Sequence, residues 1–127
     1  MIIPIAAISA GASLGALLRW RLGLALNAIW PNLPLGTLVA NLLGGLLIGI
    51  ASEVLISRTA IPPEWRLAII TGFLGGLTTF STFSLEVSTQ LQQGRIVNAT
   101  MEILLHVVGS VLLTIVGIVI AQQVLRA

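Results

Sequence analysis

The chain has no cysteine, lysine, aspartate or tyrosine. Without cysteine there is no disulfide framework, thiolate metal site or thiol redox chemistry. Without lysine and aspartate, all side-chain charge rests on six arginines and four glutamates, and no basic run suggests a nucleic-acid surface. Only 8% of residues are charged, against 57% hydrophobic and a mean hydropathy of +1.09, which is too little polar surface to coat a soluble globule. No phosphate-binding glycine loop, metal-hydrolase motif or nucleophile elbow is present, so no catalytic residue is assigned and no enzyme is expected.

What is present is apolar sequence in long runs. A bilayer span needs about 20 such residues, so 127 residues have room for about four crossings and very little loop. The expected architecture is an all-α membrane protein, one four-helix transmembrane domain over residues 1–127. The start, MIIPIAAISAGASLGALL, lacks a basic leader region and is read as the first helix of the mature protein.

Helix 1 is predicted from about Ile2 to Leu26, with Gly11 and Gly15 in a GxxxG spacing that lets helices approach closely. The turn Trp30-Pro31-Asn32-Leu33-Pro34 marks a membrane interface. Helix 2 is predicted from about Leu35 to Ile56, with Asn41, Gly45, Gly49 and Ser52 drawing a small or polar stripe down one face. Pro62 and Pro63 end the next connection. Helix 3 is predicted from Glu64 to Gln93 with an interruption at Gly75-Gly76. Helix 4 is predicted from Ile96 or Val97 to Leu125, and its Glu102, His106, Ser110 and Thr114 recur every four residues on one inward face.

Arg58, Arg66 and Arg126 fall on one side of such a bundle and Arg19, Arg21 and Arg95 on the other. Arginine excess sets orientation, so a three-to-three tie predicts insertion both ways round, unless Arg19 and Arg21 lie too deep in helix 1 to count. Two opposite copies can pair about a two-fold axis in the membrane plane, giving an antiparallel homodimer.

The stretch Thr71–Glu86, TGFLGGLTTFSTFSLE, sets glycines and hydroxyls at membrane depth, where unsatisfied polar groups cost several kcal/mol each. It must face protein or water. A break near Gly75 to Thr79 frees carbonyls on one half-helix, suited to a cation, and N–H groups on the other, suited to an anion. The alternative is a tight glycine crossing through Gly72 and Gly76 with no ion. Phe80 and Phe83, three apart, share a face and can offer positive ring edges to an anion, or simply pack. Thr79, Ser81, Thr82, Ser110 and the Asn41 amide are the neutral donors that would replace anion hydration.

The runs GGLTTFSTFSLE, PLGTLVANLLGGLLIG and GASLGALLRW resemble the small bacterial fluoride channels of the Fluc (CrcB) type. The resemblance covers three of the four helices and is most specific in helix 3. It implies passive export of fluoride through two pores of an antiparallel homodimer in the bacterial inner membrane, conferring fluoride resistance. By the same resemblance Phe80 and Phe83 are pore aromatics, Asn41 is a pore amide, and Arg19 stands in the vestibule. The carbonyls of Gly75 and Thr78 would ligate a structural Na⁺ at the dimer centre. Trp20 takes a place where the family leads one to expect tyrosine.

Glu86, one turn beyond Phe83, is either an access-route group or a solvated acid at the interface, and Glu102 is read as interfacial. His106 is read as a packed, hydrogen-bonded imidazole. The rival reading, a small dual-topology proton-coupled multidrug exporter, needs an intramembrane acid that helix 1 lacks and aromatics for a drug cage.

Overall fold

A computed structural model describes all 127 residues. Five helices build four spans: α1 (Ile2–Leu26), α2 (Leu35–Ser57), α3 (residues 63–77), α4 (Ser81–Gln92) and α5 (Ile96–Arg126). Each of α1, α2 and α5 is long and apolar enough to cross a bilayer, and α3 with α4 makes the remaining span, Pro63–Gln92. The protein is therefore a multi-pass membrane protein, with helix limits close to those expected.

The connections follow from backbone chemistry. Pro34 precedes α2 and has no side chain to cap it, so Asn27 at the end of α1 does so: its Oδ1 accepts from the N–H of Gly36 at 2.8 Å and of Thr37 at 3.3 Å. At the other end of α2, the Arg66 guanidinium donates to the Leu55 carbonyl. Pro63 opens α3 at a position where a missing N–H costs nothing. Gly94, with φ +75°, makes the tight reversal into α5 that a side chain would strain.

Two glycine-lined crossings hold the bundle. On α1, Gly11 and Gly15 lie directly against the carbonyls of Ala68 and Phe73, while on α3 a Cβ at Gly72 or Gly76 would come within 2.7 Å of the Ile8 carbonyl or 2.5 Å of the Ala12 carbonyl. The α2 stripe meets α5 in the same way. Gly45 abuts Ser110, Gly49 abuts Thr114, Gly117 abuts Leu46, and Thr114 Oγ1 donates to the Gly45 carbonyl at 2.9 Å. In lipid, where apolar helices gain nothing by hiding from the solvent, such close van der Waals contact drives association. The small apolar core, Ala40, Leu74 and Leu77, sits where α2 meets α3.

The third span does interrupt, past the Gly75-Gly76 pair but beginning within the expected stretch Gly75 to Thr79. Residues Leu67–Leu74 are wound as a π-helix, and a last turn, Gly75–Leu77, stays helical, with Gly75 at φ −63° and ψ −37°. The chain extends only at Thr78, with φ −85° and ψ 155°, and α4 starts at Ser81. Gly76 does not break the helix because it is held against α1, so the glycine crossing and the break coexist on adjacent turns.

Candidate functional site

The break is organised by a side chain from another helix. Asn41 of α2 accepts from the Thr79 N–H at Oδ1, 2.8 Å, and donates from Nδ2 to the Thr79 carbonyl, 2.9 Å. One amide thus satisfies both main-chain groups of a residue removed from its helix. Its second Nδ2 hydrogen points at His106 Nδ1, 2.9 Å away. Because the Thr79 pair fixes the amide, His106 Nδ1 must accept, and the proton of the neutral ring lies on Nε2. Thr79 completes the turn: Oγ1 accepts from the N–H of Thr82 at 3.1 Å and donates to Thr82 Oγ1 at 3.0 Å. On the other side of the break, Arg19 Nε donates to the Gly76 carbonyl at 3.0 Å, whereas the carbonyls of Gly75 and Thr78 receive no main-chain hydrogen bond.

Two clefts have Thr79 in their linings. The first, about 490 Å³, brings together Asn41, Gly75, Thr78, Thr79, Phe80, Phe83, His106 and Ser110. The second, about 440 Å³, is lined by Arg19, Trp20, Asn27, Thr37, Thr79 and Thr82. Phe80 and Phe83 meet edge-on, with ring centroids 5.6 Å apart at 65°, and Phe83 stacks on His106 at 4.5 Å and 28°. Phe83 is buried, but Phe80 is 77% exposed in the single chain. The chain therefore collects most of the predicted residues in one place. Ser81 and Glu86 line neither cleft; Ser81 is exposed and reaches the group only through Thr79 Oγ1 at 3.4 Å.

The acids are less solvated than expected. Glu102 is fully buried, because Gln90 of α4 reaches across to its Oε2 while also donating to the Asn32 carbonyl at 3.0 Å. It is therefore not a solvated acid, whatever its depth in the membrane. Glu86 is half-buried, and its Oε1 accepts from Thr37 Oγ1 at 2.6 Å, so it is no freely solvated acid either. One oxygen each of Glu86 and Glu102 and one ring nitrogen of His106 lie within 4.8 Å of one another.

Thr37 and Gln90 escaped the reading of the sequence. A signal existed, since Thr37 is four residues before Asn41 and Gln90 four after Glu86, each one turn along the same helix face. His106 touches no serine among its hydrogen bonds, and its Nδ1 is committed to Asn41.

Comparison with known proteins places this geometry in a family. Residues 6–118 match the family described as CrcB-like protein, Camphor Resistance (CrcB). A protein of Tolumonas auensis named fluoride-specific ion channel FluC is 58% identical over 117 residues, 92% of either chain. Proteins of the same name from Burkholderia vietnamiensis and Burkholderia lata are 61% identical over 117 residues and 56% over 127. They share 92% and 100% of this chain and 91% and 99% of their own. A match spanning nearly the whole length, with relatives this similar from end to end, means that the chain belongs to the CrcB family.

Proposed function

We propose that the protein is a passive, fluoride-selective channel that releases F⁻ from the bacterial cytoplasm across the inner membrane and so protects against fluoride toxicity. The observation that carries this reading is the unwound segment Thr78–Phe80, held open by Asn41 and edged by the Phe80–Phe83 pair, in a chain whose relatives bear the name of fluoride channels.

Fluoride is small and strongly hydrated. A selective passage must replace its water shell with close neutral donors and still bind weakly enough to release it. The hydroxyls of Thr79, Thr82 and Ser110, the Asn41 amide and the positive ring edges of Phe80 and Phe83 are such groups, contributed by residues that line one or other of the two clefts. Ser81 would join them from its exposed side of α4. Arg19 at the second cleft would concentrate anions there, and Glu86 would border the route between Thr37 and Phe83. Nothing in this path requires an energy source.

The working unit in this reading is an antiparallel homodimer, supported by the three-to-three arginine balance and by a pore aromatic, Phe80, left 77% exposed by one chain alone. The carbonyls of Gly75 and Thr78 fit a hard monovalent cation, since both line one cleft and neither is used by the backbone. They would hold a structural Na⁺, with the same pair from a second copy completing the oxygen set. That ion would neutralise backbone oxygen at membrane depth.

The test is fluoride-electrode efflux from liposomes containing the purified protein. Rapid F⁻ release with chloride retained is the expected result; absence of release, or equal passage of chloride, would sink the reading.

A further inference from the structure

Beside the passage lies a buried polar pocket whose unpartnered atoms the proposed conduction path does not use. Glu86 Oε2, Glu102 Oε1, Gln90 Oε1 and His106 Nε2 are all shut off from solvent, and none has a hydrogen-bond partner. Glu102, His106 and Gln90 are 0%, 4% and 6% exposed. Three of the four orphan atoms are oxygens that accept, and only one, His106 Nε2, carries hydrogen, because Asn41 occupies Nδ1. His106 Nε2 is 3.9 Å from Glu102 Oε1, too far for a hydrogen bond. The pocket is short of positive charge as well as of donors. From α2 it is faced by Thr37 and Asn41, which do not titrate. Arg19 is engaged by the Gly76 carbonyl and Arg95 by Asn32 Oδ1 at 2.9 Å, and no arginine pairs with either glutamate. Two facing carboxylates without a counter-ion in so apolar a setting repel each other strongly.

We infer that Glu86 and Glu102 hold one proton between them, forming a carboxyl–carboxylate pair that is a proton-binding site on the flank of the anion route. The proton comes from water. It joins the oxygens left bare, Glu86 Oε2 and Glu102 Oε1, while Thr37 and Gln90 keep the outer oxygens, so every carboxylate oxygen of the pair gains a partner. A metal ion fits this pocket poorly. To ligate one, His106 would need a bare Nε2, and the Asn41 hydrogen bond places the ring proton there. With one proton the pair carries a single negative charge; when that proton leaves, two negative charges border the passage. Glu102 is on this account a positioning residue that keeps Glu86 compatible with a passing anion.

The proton site stands independently of the fluoride reading, while its effect on efflux rests on it. The experiment has two arms. Infrared spectra of the purified wild-type protein in lipid should show the C=O stretch of a protonated carboxyl at neutral pH, lost in Glu102→Gln and in Glu86→Gln, since neither variant retains a pair. In the second arm, wild-type efflux should fall several-fold when the pH is raised far enough to abolish that band, while Glu102→Gln changes by less than about twofold over the same range. No such band in the wild type, a band that persists in both variants, or stoichiometric binding of Zn²⁺ or Mn²⁺ that removes it would overturn the inference. A band that behaves as stated in a protein without efflux at any pH would uphold the proton site and refute the channel.

Discussion

Asn41 and His106 are joined by a 2.9 Å hydrogen bond between the amide Nδ2 and the ring Nδ1, and the same amide clamps both main-chain groups of Thr79. One side chain thereby couples α2, α5 and the break in the third span. A helix interruption in lipid survives only if its freed backbone groups find partners, and Asn41 is the partner.

Replacing that clamp tests the site at its centre. Asn41→Ala strands the N–H and C=O of Thr79 and the Nδ1 of His106, at about 1–3 kcal/mol for each buried group left unpaired. Its melting temperature should drop and its fluoride efflux should be lost. Asn41→Asp retains an acceptor for the Thr79 N–H but sets a carboxylate against the Thr79 carbonyl and His106 Nδ1, both acceptors. Efflux should fall by about tenfold or more. Wild-type rates in the aspartate variant, measured by fluoride electrode, would remove Asn41 from the lining.

The two phenylalanines should separate conduction from stability. Phe83 is buried against His106, so Phe83→Ile loses packing of about 1–3 kcal/mol along with the proposed anion contact. Phe80 is exposed in the single chain, so Phe80→Ile should leave the melting temperature of a single chain almost unchanged. Both variants should nonetheless lose efflux, because isoleucine has no positive ring edge to offer. Retained efflux in Phe80→Ile would make Phe80 a packing residue.

How far the sequence reveals this depends on whether a feature is local. The limits of α1, α2 and α5 were legible because Pro34, Pro62-Pro63 and Gly94 punctuate apolar runs of membrane length. The inward face of α5 was legible from its spacing of four. The place of the break was legible only as the stretch Gly75 to Thr79, not as the residue. Gly75 and Gly76 are the weaker helix formers, but Gly76 is locked onto Ala12 of α1, and the unwinding is imposed at Thr79 by an amide 38 residues away in sequence. Burial of Glu102 was hidden for the same reason: near a helix start an acid ordinarily reaches solvent, and only the fold brings Gln90 over it.

The glycine crossing gives a stability prediction with an internal control. A side chain at Gly15 collides with the Phe73 carbonyl, which is main chain and cannot swing aside, so Gly15→Ala should cost about 1–3 kcal/mol and Gly15→Leu more. At Gly23, on the same helix, the nearest atom to a new Cβ is the Asn27 side-chain nitrogen at 3.4 Å, an ordinary contact. Gly23→Ala should be neutral or slightly stabilising. Thermal unfolding in detergent checks the pair; equal effects at both positions would mean that α1 does not pack on α3 through Gly15.

Gly75 offers the sharpest test of pairing. A Cβ there meets nothing closer than the Ile70 carbonyl at 3.7 Å, so the single chain gives no steric reason for a glycine at this position. Its neighbour Gly76 has one, at 2.5 Å from the Ala12 carbonyl. If the free carbonyls of Gly75 and Thr78 meet their counterparts across a two-fold axis around a sodium ion, a methyl group at Gly75 intrudes on that approach. Gly75→Ala should therefore keep its helical content by circular dichroism, elute as a smaller species on size exclusion, and lose fluoride efflux. Exchanging Na⁺ for a bulky organic cation during purification should weaken the wild-type pair in the same direction. A Gly75→Ala protein that still pairs and conducts, with no response to sodium removal, would detach these carbonyls from any ion and leave the break to serve the anion route alone.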